Sequence, residues 1–190
     1  MNKSLFEIQK ITQSQNFLEE IFYNCNSKVI PKNEFLLKAG EHCTYAFFVK
    51  KGVLRQFVLS EEGKESIVLF ALENWILADR ASTYFQEPSE FYIQAVESSK
   101  VYFLDEKFIQ ELSMKNTDFF DLNTKMLHNH IRHLQNRIKH LLSLNSRDKY
   151  LQFVKQYPDL YGRVPQSMIA SYLGMTPETL SRIRREASHE

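Results

Sequence analysis

Residues 166–186 read QSMIASYLGMTPETLSRIRRE, and the punctuation in the middle of this stretch sets its shape. Gly174 suits the left-handed backbone that closes a helix, Thr176 is a strong N-cap, and Pro177 fits the first helical position after it. Two helices therefore meet at a very short turn. Ile169, Leu173, Leu180 and Ile183 recur at helical spacing on the faces that would meet, and Ala170 is small enough to let the two helices cross closely. What is left pointing outward on the second helix is Glu178, Thr179, Ser181, Arg182, Arg184 and Arg185. These groups suit a duplex. Arginine pairs bidentately with guanine, glutamate accepts from cytosine N4, and a helix N-terminus with Thr176 favours a phosphate. Arg163, Arg184 and Arg185 are expected on the phosphate backbone. An ordinary helical hairpin with a solvated polar face would show the same spacing, so DNA reading is an expectation at this point.

Working back toward the N-terminus, Ser146 is expected to cap a helix carrying Tyr150, Leu151, Phe153 and Val154, which Tyr157-Pro158 ends. Before it, roughly Asp118 to Leu144 runs without proline or glycine and reads as one long helix. Phe120, Leu127, Ile131, Leu134, Ile138 and Leu141 follow heptad spacing along it. A seam that narrow fits a contact between two helices and predicts a homodimer; a helix packed on its own domain is the other reading. His128, His130, His133 and His140 lie on the same helix. No Cys, Asp or Glu pattern completes a ligand set around them, so no metal is expected and they read as solvated surface histidines.

From Phe35 to about Leu104 the pattern changes to short runs rich in β-branched and aromatic residues: EFLLKAG, YAFFVKKG, VLRQFVL, ESIVLFAL, EFYIQAV and KVYFLD. Glu61-Glu62-Gly63-Lys64 reads as a hairpin turn between two of them. This spacing predicts an antiparallel barrel or sandwich. Helices are expected over Ser4–Tyr23 and Phe108–Met114. The fold class is α+β: an N-terminal antiparallel β-roll of the jelly-roll kind, a long dimerisation helix and a C-terminal helix-turn-helix. The division is 1–117, 118–144 and 145–190, with any wing of a winged-helix arrangement expected to be truncated or formed before Gln166.

Composition narrows the function. Cys25 and Cys43 are too few for a disulfide framework or a four-cysteine metal or iron–sulfur site, so no cofactor is expected. Charges interrupt the apolar pattern of the first residues, and no run approaches the roughly 18 apolar residues of a membrane span. A cytoplasmic protein is expected. From Asp118 onward there are eleven Lys and Arg against seven Asp and Glu, whereas residues 1–117 carry thirteen against sixteen. This asymmetry favours an anionic partner at the C-terminal end.

A β-rich domain, a long helix and then RVPQSMIASYLGMTPETLSRIRRE resembles the Crp/Fnr transcription regulators, and VKKGVLRQF is similar to the strand–glycine–strand element of the cyclic-nucleotide-binding fold. The resemblance places Pro177, Glu178 and Arg182 where the family has its chief base-contacting residues. It implies a regulator that binds double-stranded DNA as a homodimer, with RNA polymerase and a small-molecule effector as further partners. Family members that bind cyclic AMP carry a Gly-Glu pair and, further on, an Arg-Ser or Arg-Thr pair. Here Leu77-Ala78 stands in the first place and Ser89-Glu90 in the second. A buried Glu90 carboxylate would repel a phosphate, so cyclic AMP is not the expected effector. The candidate pocket comprises Leu77, Ala78, Asp79, Arg80, Ser89 and Glu90. Two other functions stay open: a regulatory module acting through protein partners, and a cupin-like barrel enzyme. The enzyme is disfavoured because the expected strands contain no histidine to hold a metal, and the chain is expected not to be an enzyme.

Overall fold

The computed structural model describes residues 25–187, so the helix expected over Ser4–Tyr23 lies outside the described residues. The strands are β1 (Asn26–Ile30), β2 (Phe35–Leu37), β3 (Tyr45–Lys51), β4 (Leu54–Leu59), β5 (Glu65–Ala71), β6 (Ile76–Leu77), β7 (Tyr92–Ala95) and β8 (Ser99–Asp105), with a short helix α1 (Arg80–Thr83) before β7. They form two four-stranded antiparallel sheets, ordered β1-β8-β3-β6 and β2-β7-β4-β5. Each of the six strand-like runs in the sequence contains one strand. β1 and β6 were not expected. β1 lies at a sheet edge and buries only Ile30 of its five residues, while β6 is two residues long, so neither carries a readable alternation.

β3 shows why the strands read as continuous apolar runs. Phe47 and Val49 face a core shared with Leu54, Leu69, Leu77, Ile93 and Val101. Ala46 and Phe48 face the other way, onto a second cluster with Leu104, Ile109 and Phe119. Both faces of the strand are covered, and each such large side chain contributes about 1.5–3 kcal/mol relative to an exposed one. The link from β3 to β4 carries the chain from one sheet to the other through Gly52, whose φ is 103°. A Cβ there would lie 2.2 Å from Ser99 Oγ and 2.7 Å from Ser99 Cα. Backbone and space therefore both demand glycine. On the far side of β4, the buried Arg55 guanidinium stacks on Phe57 at 4.1 Å, donates to Gln94 Oε1 at 2.8 Å and forms a two-pronged pair with Glu65. A buried charge paired on every side in this way does not have to be neutralised.

After β8, Asp105 caps α2 (Glu106–Lys115) by accepting from Lys107 N and Phe108 N. The long helix, α3, spans Thr117–Ser143, and Asn116 accepts from Phe119 N at its start. It is followed by α4 (Ser146–Gln156), a 3-10 turn (Pro158–Leu160), α5 (Gln166–Leu173) and α6 (Pro177–Ala187). The cap of α4 is Asn145 and not Ser146. Asn145 Oδ1 accepts from Asp148 N at 2.9 Å while its Nδ2 donates to Asp148 Oδ2 at 2.8 Å, and Ser146 is already the first residue of the helix. Contacts within the chain divide it into two units, one ending at Asp121 and one beginning at Leu122. The second has its own small core, in which Phe153, Tyr157, Leu160, Ile169, Leu173, Leu180 and Ile183 are buried.

Candidate nucleic-acid interface

α5 ends at Gly174, whose φ of 65° and ψ of 40° are left-handed; its N–H is shared between the carbonyls of Ala170 and Ser171, and Met175 N donates to Ala170 O at 3.0 Å. A Cβ on Gly174 would meet Leu141 Cδ2 at 3.5 Å, an ordinary contact. The glycine is there for its backbone, not for space. Two residues on, Thr176 Oγ1 accepts from Thr179 N at 3.3 Å and lies 3.2 Å from Thr179 Oγ1, so α6 begins with the expected cap. Ile169, Ala170, Leu173, Leu180 and Ile183 are all buried, with Ala170 and Leu180 at 0% exposure. The close crossing inferred from a single alanine is thus made.

The opposite face of α6 presents Thr176, Pro177, Glu178, Ser181, Arg182 and Arg185 to solvent, with Thr179 half-buried among them. Arg182 Nη1 reaches Glu186 Oε1 at 3.6 Å, one turn on, in a solvated pair worth about 0.3–0.5 kcal/mol and easily exchanged for another anion. Backbone N–H donation and the Thr176 hydroxyl hold the Glu178 carboxyl below its usual range, so it stays an acceptor near neutral pH. Arg184 departs from the outward face. Its guanidinium lies 4.8 Å over the Tyr161 ring and hydrogen-bonds the Tyr161 hydroxyl, anchoring α6 to the turn after the 3-10 segment. The neighbouring Tyr150 hydroxyl has its pKa raised, by burial first and by Tyr161 second. Arg163 is half-buried on the same connection, its N–H donating to Leu160 O at 3.0 Å.

Along α3, Phe120, Leu127, Ile131 and Ile138 are exposed, Ile138 by 55%, while Leu134 and Leu141 are half-buried. The expectation of four solvated histidines fails at His133. Its Nδ1 lies 3.2 Å from Gln156 Nε2, its Nε2 lies 3.2 Å from the Tyr157 hydroxyl, and that hydroxyl is 3.3 Å from the Tyr172 hydroxyl. Burial, followed by the positive fields of His130, Arg137 and His140, lowers the His133 pKa to about 4. The imidazole is neutral and ties α3 to α4 and α5. A 3.6-residue period cannot reveal this, because the partners lie 23 and 24 residues further on. Among the described residues no group of three or more His, Cys, Asp or Glu is placed to hold a metal ion.

The stretch proposed as an effector pocket is differently arranged. Leu77 is a β6 residue facing the core at 0% exposure, and Ala78 packs into the second cluster. Asp79 caps α1 through Oδ1, which accepts from Ala81 N at 3.1 Å, while its buried Oδ2 has no hydrogen-bond partner. Arg80 pairs with Glu106 Oε2 at 3.1 Å. Ser89 is buried and closes on Phe91, accepting from its N–H and donating to its carbonyl, both at 3.0 Å. Glu90 is exposed, not buried as expected. The buried carboxylate of this region is Asp79, eleven residues earlier. Among the described residues no hydrogen bond or ion pair joins Leu77–Arg80 to Ser89 or Glu90.

Residues 27–116 match the family model of the cyclic nucleotide-binding domain. Over 186 residues the chain is 26% identical to the anaerobic regulatory protein of Pasteurella multocida, covering 92% of this chain and 65% of that one. The chain thus spans about two thirds of that relative's length. Its fold is similar to that of FixK2 from Bradyrhizobium japonicum, with a TM-score of 0.76 at 17% identity over 87% of this chain and 85% of that one. It is also similar to a CooA mutant from Carboxydothermus hydrogenoformans, with a TM-score of 0.72 at 20% identity over 90% and 79%. No helix among the described residues is long and apolar enough to cross a membrane. With its roll of two sheets, an unbroken helix of 27 residues and a glycine-turned helix pair ending in arginines, the chain carries a cyclic nucleotide-binding domain and is similar in sequence and fold to the Crp/Fnr transcription regulators.

Proposed function

We propose that the chain acts in the cytoplasm as a homodimer that reads a near-palindromic DNA site with α6 in the major groove. The division is a sensor over 1–117, a dimerising helix over 118–144 and a reading domain over 145–190. The supporting observation is the outward face of α6: Pro177, Glu178, Ser181, Arg182 and Arg185 stand exposed on a helix whose opposite face, Leu180 and Ile183, is buried. A short polar helix held this firmly presents its side chains in fixed register, as base reading requires. Glu178 and Arg182 read base edges; Thr176, Thr179, Arg163 and Arg185 grip the backbone. Arg184 orients α6 through Tyr161. In the dimer the two α6 helices lie roughly 34 Å apart, one turn of duplex.

Phe120, Leu127, Ile131, Leu134, Ile138 and Leu141 form the seam, since a row of apolar residues at heptad spacing, four of them exposed and Leu134 and Leu141 half-buried, is what a second copy of the helix covers. The effector is a small molecule other than cyclic AMP, because Arg80, the one cation of the 77–90 stretch, is engaged by Glu106 and no second arginine follows. RNA polymerase is the partner through which a bound dimer would act. Selection of bound duplexes from a random pool tests the reading. A palindromic consensus, blurred by Arg182→Ala at particular base pairs and unchanged by Arg185→Ala, supports it. Equal loss on selected and scrambled duplexes for Arg182→Ala sinks the assignment of that residue.

A further inference from the structure

Within the second unit, α3, α4 and the end of α5 enclose a cleft of about 30 Å³. That is room for roughly two waters, or for the oxygens of an anionic group entering from the open side. Its polar wall consists of His133, Arg137 and His140 from α3 and Lys149, Gln152 and Gln156 from α4. Its floor is apolar, built from Leu141, Phe153 and Leu173 and the ring of Tyr172. The wall holds no carboxylate. A concave, partly apolar surface lined by cationic groups and no carboxylate concentrates the local field and attracts anions.

Two details sharpen the chemistry. The Arg137 guanidinium lies face-down on Tyr172, 3.7 Å from the ring centroid. Stacking uses its face, and its N–H bonds are directed from its edge, as a planar fork that matches the oxygens of a phosphate or carboxylate. The second detail is His140, whose pKa burial and Lys139 lower, so the group waits as a neutral imidazole that an adjacent anion would convert to a cation. We infer that this cleft is a binding site for a small oxyanion carrying a phosphate, sulfate or carboxylate group. It lies against Tyr172 and Leu173, the residues just before the turn into α6, so an occupant braces the helix pair from behind. The site stands independently of base reading: its failure would leave duplex selection untouched, and the converse holds.

The direct test follows the imidazole resonances of His133 and His140 by NMR while the whole protein is titrated with sodium sulfate, with sodium chloride at matched ionic strength as reference. Sulfate keeps its charge across the range used, so any protonation belongs to the protein. Arg137, His140 and Lys149 face the anion from the two long walls, with His130 and Lys139 behind them, and an anion among them favours the imidazolium. The expected result is a saturable sulfate effect that raises the His140 pKa by about one unit and tightens as pH falls. Lys149→Glu should weaken it at least tenfold while leaving the melting temperature within about 2 °C; Lys149→Gln serves if the glutamate variant unfolds. The site is overturned by an equal response to chloride or by an undiminished one in the Lys149 variants. A response to a short duplex but not to sulfate also overturns it, because it assigns the cleft to backbone phosphate.

Discussion

Gly52 and Gly174 are both left-handed, yet they do different work and should fail differently. At Gly52 an added methyl would overlap Ser99 as well as strain the backbone, and Ser99 Oγ accepts from Val53 N in the same corner. Gly52→Ala should therefore destabilise the roll by about 2–4 kcal/mol in urea unfolding. At Gly174 only the dihedral objects, so Gly174→Ala should cost about 1 kcal/mol and Gly174→Asn less. A similar division separates the arginines of α6. Arg182→Ala should lose about 1–3 kcal/mol of discrimination between a selected duplex and one altered at its contact, with little effect on folding. Arg184→Ala removes the stack on Tyr161 and should lower stability by about 0.5–1 kcal/mol while leaving the preferred sequence intact. Duplex competition and thermal unfolding on the two variants would expose an exchange of these roles.

α3 faces two ways, and each face carries its own prediction. The exposed residue Ile131 of the proposed seam should accept Ile131→Asp without loss of helix content, yet the variant should sediment as a monomer under conditions in which the parent protein is expected to sediment as a dimer; a dimeric variant would remove the seam from the assembly. The other face holds His133. Its folded pKa of about 4 lies below the ordinary 6.5, so the unfolded chain takes up a proton that the folded one refuses. Its contribution is present in full above about pH 6.5 and is lost as pH falls toward 4, an effect on the order of 3 kcal/mol by linkage. His133→Gln should flatten the stability profile across that window. An unchanged slope would show that the imidazole is already charged in the folded protein.

Taken whole, the chain joins a slightly acidic N-terminal part to a basic C-terminal part, and under the proposed function duplex affinity should fall with salt at a slope of about −0.9 per phosphate contacted. How much of this was legible depended on the range of the interactions involved. The helix pair was read correctly down to Ala170, Gly174 and Thr176, because caps, turns and 3.6-residue periodicity are settled by residues within one or two turns of each other. β3 was legible for a related reason: covering on both faces makes its middle, Ala46 to Val49, apolar throughout. β1 and β6 were hidden because one buries a single side chain and the other is two residues long. The same limit misplaced one side chain of the 77–90 stretch, where Glu90 was expected inside and Asp79 is. Local pattern thus specified which segments are helix or strand and which face of α6 is polar. Long-range packing alone set the retreat of Arg184 onto Tyr161, the neutral state of His133 and the cationic cleft beside it, because burial and the fields of groups tens of residues away, which no local period encodes, govern where a side chain points and whether it is charged.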